Sequence, residues 1–447
     1  MLDAIEPPAV NPSTEVFYRC NRCGIESKEA TCFLGPSDKA LPLIRTCVTC
    51  GQLPPTTSNL RNVFALFWLL FLPLFFLVGL KEKSSAIFAS LLLAALLIHA
   101  LALLLHELGH LLTARLLGLE VSLMTLGVGP RVWAGNILGT HVRIHAWPLA
   151  GLTYLGSSSL RLLRLRVWLA ALMGPGTNFL LVLAAVAFWD PLTHKFGANI
   201  VILWMIFNGL YGVANLLPLR TRRAGVLHRT DGFQLLQIPF RKSTDLAVYL
   251  SATALIGAMQ LFQDRDYEGA RRACLQGLER LPSDPTLNVL LSACHVNLGD
   301  YEAARAALEP LINAAVTLSP DLRAAVENNL ALSLWLRDFG TAQRDETLPR
   351  ADALLDRAYS AFPCELAYRT SRALLLTATN RPQDALTLLE YVNYERGNQD
   401  NRANRHIARA FALRRLSRND EADEALAAGL SLTNNRLPWL TTIGLIS

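Results

Sequence analysis

The chain has 447 residues, room for two or three domains, and 52% of them are hydrophobic, which excludes an ordinary soluble enzyme. Its formal net charge of +6 is modest, from 42 basic and 36 acidic residues. The cations cluster beside apolar runs rather than forming a stripe, which excludes a nucleic-acid binder. The start of the chain, MLDAIEPPAVNPSTEVF, is acidic and carries Pro. It has no basic opening and no short apolar core, so no secretory signal peptide is expected.

Five of the eight cysteines lie between positions 20 and 50. Two C-x2-C pairs, Cys20/Cys23 and Cys47/Cys50, can each present two thiolates from one tight turn. Two such turns complete a tetrahedral site, so residues 1–56 are expected to form a tail and a zinc-ribbon-like domain with one structural Zn2+. A pair of redox dithiols is the alternative. Cys32 is left over, and Cys274, Cys294 and Cys364 are expected to behave as small core residues.

Four apolar runs follow, at 62–80, 85–119, 167–189 and 200–219, each long enough to cross a bilayer. Residues 57–245 are therefore expected to form a transmembrane core. Within it, residues 120–165 read as a hairpin loop, two runs rich in Val, Thr, Ile and Leu broken by Gly and Asn. His141, Arg143 and His145 alternate along one strand face, which predicts a solvated face rather than a ligand set. Arginines 131, 143, 161 and 164, with 220, 222, 223 and 229, lie on one side of the spans. Lys81, Lys83 and Lys195 face the other. The positive-inside rule then places both termini in the cytoplasm of an integral membrane protein, in the cell or inner membrane.

From 246 to 447 the pattern becomes helical and repetitive. The segments DYEGARRACLQGLERLP and DYEAARAALEPLI begin 34 residues apart, at Asp266 and Asp300, with looser echoes at 378–391 and 417–430. This resembles the tetratricopeptide repeat, whose small residues (here Ala270 and Ala304) sit where two helices cross. A generic Ala/Leu-rich bundle is the alternative. Such a solenoid offers a concave face to a peptide or protein partner.

The second apolar run contains HELGH, residues 106–110. On a helix, His106 and His110 stand one turn apart and about 40° apart on one face, so both can reach one metal ion. Glu107 lies beside them as a general base toward water activated by that metal. An acid at mid-span costs on the order of 2.5–3.5 kcal/mol, so the environment argues for a metal site as strongly as the motif does. A catalytic zinc takes three protein ligands and keeps one open position. Asp190 is expected on the wrong side of the membrane. Asp231, followed by Gly232 and an amphipathic run, is on the side of His110. His99, seven residues before His106, reads either as support for the site or as a satisfied buried histidine.

These blocks resemble the site-2 proteases, intramembrane zinc metalloproteases. HELGH matches the family's HExxH, and GVGPRV (127–132) its Gly-rich stretch. MGPGTNF (173–179) matches a G-P-x-x-N element, and NGLYGVANLLP (208–218) with Asp231-Gly232 matches N-x-x-P…D-G. The likeness covers roughly 85–240. It implies zinc ligands His106, His110 and Asp231, with Glu107 as general base. It also implies that Asn178 and Asn215 help bind substrate or support the site, helix–helix contact being the alternative for each. The THVRIHAWPLAG hairpin would offer a strand edge to an unwinding substrate helix. One departure is the basic insertion RTRRAGVLHRT, which makes the interval from Asn215 to Asp231 longer than the family's usual one.

The expected fold is mainly α: a polytopic membrane protein of about four transmembrane helices, a small N-terminal zinc ribbon and a C-terminal solenoid of helix pairs. The expected activity is zinc-dependent endoproteolysis in or near the transmembrane helix of a protein substrate, with membrane lipid as surroundings. The rival is a non-catalytic membrane adaptor recruiting partners through ribbon and repeats. A solute transporter fits poorly, having too few spans and no inverted repeat here.

Overall fold

The computed structural model describes residues 18–20, 26–27, 44–45 and 85–445, less 224–225, 314–317, 364, 391–398 and 434–437. The expected span at 62–80 lies outside the described residues. So do Cys23, Cys47 and Cys50, three of the four cysteines expected to hold a structural zinc. The fourth, Cys20, ends strand β1 (Tyr18–Cys20), which pairs with β2 (Glu26–Ser27) on one side and β3 (Ile44–Arg45) on the other.

Helix α1 (Ser85–Leu116) contains the second apolar run. At 1.5 Å per residue its 32 residues span about 48 Å, more than the ~30 Å of a hydrocarbon core. The long strands β4 (Glu120–Ile137) and β5 (Thr140–Gly156) then form the expected hairpin. Residues 123–126 of β4 lie between the two halves of β5: Met124 is paired with both Thr153 and Val142. Helix α2 (Leu163–Ala187), the short α3 (Trp189–Phe196) and α4 (Ala198–Leu216) follow. Helices α1, α2 and α4 pack on one another. Small residues make the approach close: Ala95, Ala102, Ala114 and Ala170 are fully buried. Gly109, inside HELGH, faces Thr177 and the Met173 carbonyl of α2, where a Cβ would overlap both. Without a hydrophobic drive between helices in lipid, such small contacts are how spans associate.

The basic insertion is itself a hairpin, β6 (Arg220–Arg223) with β7 (Val226–Arg229), and it delivers the chain to α5 (Asp231–Gln237). After a helical turn at Ser243–Leu246 comes α6 (Val248–Gln263), which pairs with α7 (Tyr267–Arg280). Residues Ser243–Gln263 are long and apolar enough to cross a membrane, as are Ala89–Leu116, Leu163–Ala187 and Ala198–Leu216. Yet the amide of Ser157 is bonded to the Tyr249 carbonyl, and α7 carries Glu268, Arg271 and Arg280, charges that lipid excludes. The pair α6/α7 therefore reads as the first helix pair of the repeats.

The chain falls into two compact units, one of residues 55–287 and a second that holds residues 288–447. In the second, α8 (Pro285–Leu298) and α9 (Tyr301–Asn313) are followed by α10 (Pro320–Arg337) and α11 (Arg344–Ala361). The array continues through α12 (Leu366–Ala378), α13 (Pro382–Glu390), α14 (Gln399–Arg415), α15 (Asn419–Ser431) and α16 (Pro438–Thr442). The two segments that stand 34 residues apart start their helices in the same way. Asp266 and Asp300 accept backbone N–H bonds, from Gly269 at 2.8 Å and Ala303 at 3.1 Å, capping α7 and α9. Ala270, Ala304, Ala385 and Ala422 stand at corresponding places and are each 0% exposed.

Candidate active site

His106 and His110 project from α1 into the three-helix core, 3% and 7% exposed. The His106 Nδ1–H donates to Asn178 Oδ1 of α2 at 2.6 Å, and the His110 Nδ1–H donates to the Ala170 carbonyl at 2.7 Å. Both Nδ1 atoms are thereby occupied, and both Nε2 lone pairs turn to the same point. Gly174 opposite leaves room for this, because a Cβ there would overlap the His110 ring. The MGPGTNF block thus supplies a gap at Gly174 and, one turn on, the acceptor at Asn178.

Asp231 reaches the same point from α5. Its Oδ2 is 3.1 Å from His106 Nε2 and 3.3 Å from His110 Nε2, and the two Nε2 atoms are 3.2 Å apart. Three buried electron-pair donors facing one another repel unless a cation lies among them. The edge of a tetrahedron with bonds of about 2.0–2.1 Å is about 3.3 Å, so the triad fits zinc in both donor chemistry and spacing. Among the described residues it is the one group of three His, Cys, Asp or Glu side chains that could hold a metal ion. The expected cysteine site is outside that comparison, since Cys23, Cys47 and Cys50 are not among the described residues.

The insertion does not displace Asp231. The Thr230 amide donates to the Leu219 carbonyl at 3.1 Å, closing the hairpin at its base. The Thr230 hydroxyl donates to the Leu217 carbonyl at 2.5 Å and accepts from the Leu219 amide at 3.0 Å. The same oxygen caps α5 at the Phe233 amide, so Asp231 starts its helix beside the end of α4 whatever the hairpin's length.

Glu107 is 4% exposed and points to the last part of β5. Its Oε2 accepts from the Thr153 hydroxyl at 2.6 Å, and the side chain lies against Gly151, where a Cβ would overlap it. The acid thus sits between the triad's helix and a β edge.

The two asparagines part company. Asn178 is fully buried and its Nδ2 donates to the Ala102 carbonyl at 3.2 Å and to Asn208 Oδ1 at 2.9 Å. Asn215 donates to the Tyr211 carbonyl of its own helix at 3.0 Å. The partner of Asn178 is Asn208, two turns earlier on α4 and 0% exposed. Sequence reasoning missed Asn208, Thr153 and Thr230. For Asn208 a signal existed, since it is an amide within an apolar span. His99 packs edge-on to Phe207 and within 3.4 Å of the Tyr211 hydroxyl. His141 and His145 bond within their own hairpin, to Asn136 at 3.0 Å and Gly129 at 2.7 Å. Burial and the neighbouring Arg143 hold His141 below its ordinary pKa.

Residues 94–196 match the model of peptidase family M50, and residues 261–328 that of the tetratricopeptide repeat. A protein of Nostoc sp. named as a zinc metalloprotease (all3971) is 42% identical over 59 residues, which are 13% of this chain and 16% of that protein. A thermophilic TPR protein of Thermus thermophilus is similar at 18% identity and a TM-score of 0.35, over 44% of this chain and 97% of its own. YrrB, a TPR protein with an unusual peptide-binding site, is similar at 16% identity and a TM-score of 0.26, over 43% and 90%. The M50 match includes His106, Glu107, His110 and Asn178 and ends before Asp231, which joins them through the fold. One stretch of the chain is thus similar to peptidase family M50 and another to the tetratricopeptide repeat.

Proposed function

We propose that this protein is a membrane-embedded zinc endopeptidase that hydrolyses a peptide bond in or near the transmembrane helix of a protein substrate. The observation that carries the reading is the convergence of His106, His110 and Asp231 within 4.8 Å, at the depth of three apolar helices and next to Glu107. These three residues would hold the zinc. The chemistry such an ion supplies when bound is Lewis acidity toward water and a carbonyl oxygen.

The chain's own residues supply the rest. Glu107, with Oε2 held by Thr153, keeps Oε1 to take the proton of the attacking water and return it to the leaving amine. Asn178 and Ala170 hold the imidazoles in the tautomer that leaves Nε2 free. The β5 edge at 147–152 is next to Glu107 and can pair with a substrate segment once its helix has unwound, exposing a carbonyl that a helix keeps hydrogen-bonded. The repeats supply the surface for a peptide or protein partner. Both termini are read as cytoplasmic, and the pairs Cys20/Cys23 and Cys47/Cys50 as a structural zinc site.

The test is cleavage of a helical membrane substrate by reconstituted protein, with zinc counted in parallel. Glu107→Gln is expected to keep its zinc and lose proteolysis by about 10²-fold or more, the order of magnitude of general-base catalysis. Cleavage at the wild-type rate by this variant would overturn the mechanism. His106→Ala is expected to lose one zinc and all activity.

A further inference from the structure

A cleft of about 470 Å³ opens beside the first turn of α2, away from the HELGH triad. One bank is Leu160, Leu163, Leu165 and Trp168; the other is Pro239 and Leu246. Only Arg164 and Ser243 bring polar side chains to the lining. The Arg164 guanidinium crosses to donate to the Arg241 carbonyl at 2.8 Å. Arg161, Arg241 and Lys242 flank it in sequence, and Asp245 is the one carboxylate in 157–166 and 238–246. Around the mouth, Leu162 and Phe240 are 65% and 87% exposed.

Three features converge on one class of ligand. Apolar side chains exposed between arginines belong where hydrocarbon meets headgroups. The cleft lies at that level, because α2 carries Arg164 and Arg166 in its first turn and runs without a charge from Val167 to Ala187. Its volume is that of a small-molecule site, and its surplus of cations calls for an anion. The first turn of α2 has no side-chain cap, so the helix dipole adds to the same positive rim.

We propose that this cleft binds one anionic phospholipid, with an acyl chain along Leu163, Trp168 and Leu246 and the phosphate at Arg164 and Lys242. The site also has a route to the triad. The Trp168 indole N–H donates to the Leu235 carbonyl at 3.0 Å, and Leu235 belongs to α5, the helix that begins with Asp231. A chain against Trp168 braces the back of that helix, so lipid composition would set how firmly the third ligand is held.

The experiment reads binding, not proteolysis, so it stands apart from the proposed activity. Full-length protein in detergent micelles is titrated with phosphatidylglycerol or phosphatidylcholine carrying brominated acyl chains, and tryptophan quenching is followed. Trp168→Phe identifies the component from the cleft among the eight tryptophans. Phosphatidylglycerol is expected to quench that component at lower concentration than phosphatidylcholine. Arg164→Gln and the exposed Lys242→Gln are each expected to weaken phosphatidylglycerol by about fivefold while leaving phosphatidylcholine quenching unchanged, which shows the cleft intact. Glycerol phosphate is expected not to compete. Equal quenching by the two lipids, wild-type affinity in the Lys242→Gln and Arg164→Gln proteins, or displacement by glycerol phosphate would each overturn the proposal.

Discussion

His106 can present Nε2 to a metal only while Nδ1 carries the proton, and Asn178 Oδ1 fixes that by accepting it at 2.6 Å. An amide can flip, however, and a flipped Asn178 would offer a donor instead. Asn208 prevents the flip: its Oδ1 takes the Asn178 N–H, while its own Nδ2 is committed to the Trp204 carbonyl at 2.9 Å. Asn208→Leu should therefore lower zinc affinity about 10–100-fold, as loss of an outer hydrogen bond to a ligand does, although residue 208 is expected to touch no metal. Asn215→Ala should leave it within error. Competition against a chromophoric chelator reads both, and equal effects of the two variants would sink the relay. Sequence alone could not choose between these amides. They are seven residues apart on the same helix face, and only the packing of α4 on α2 decides which one is level with Asn178.

At the scale of elements, the insertion before Asp231 lengthens the sequence interval from Asn215 without lengthening the distance the chain must cover. The antiparallel pairing of Arg220 with Arg229 and of Thr221 with His228 cancels the extra length, since a hairpin leaves and returns at one place. Two contrasting outcomes follow. Replacing residues 222–227 by a two-residue turn should leave zinc content and helix content unchanged. Thr230→Val should weaken zinc binding despite being a near-isosteric change, because it removes the cap of α5 and the bonds to Leu217 and Leu219. Loss of a cap alone costs roughly 1 kcal/mol. Zinc loss in the shortened protein with retention in Thr230→Val would reverse this account. The three described spans expected at 85–119, 167–189 and 200–219 and the repeats, by contrast, were legible in advance, because length, apolarity and a 34-residue period are properties of the chain itself. The β5 edge beside Glu107 was legible only as a hairpin; its contact with the acid depends on Gly151 having no side chain.

Across the whole molecule, the two compact units are held by different forces, so they should respond to different treatments. The membrane-core unit buries His106, His110 and Asp231 against one another, and an ion bound there would stabilise the folded form by about 2.7 kcal/mol at a hundredfold excess over Kd. In the repeats, α9 and α10 are joined through surface charge: Arg337 donates to Glu302 at 3.1 Å and to its neighbour Asp338 at 2.7 Å, and Arg305 also grips Glu302. Bonds from Arg305 and then Arg337 pull the Glu302 carboxyl down to about 2, and Arg337 and Thr347 lower Asp338. A depressed carboxyl contributes stability that is whole above its unfolded pKa of about 4.3 and disappears as pH falls through its folded value. Between about pH 4 and pH 2 the repeats should therefore lose stability through these groups, by a modest amount for Glu302 because its carboxylate is exposed and screened. Calorimetry of the full-length protein should show two transitions. His106→Ala, which removes a ligand of the core site alone, should at neutral pH lower the transition assigned to the core and leave the other in place. Glu302→Gln should shift only the repeat transition at neutral pH, and its effect should shrink as pH falls toward 2, where the wild-type carboxyl is itself about half protonated. A single transition moved by both treatments would mean that the units melt together and that the division at Leu287/Asn288 is one of packing alone.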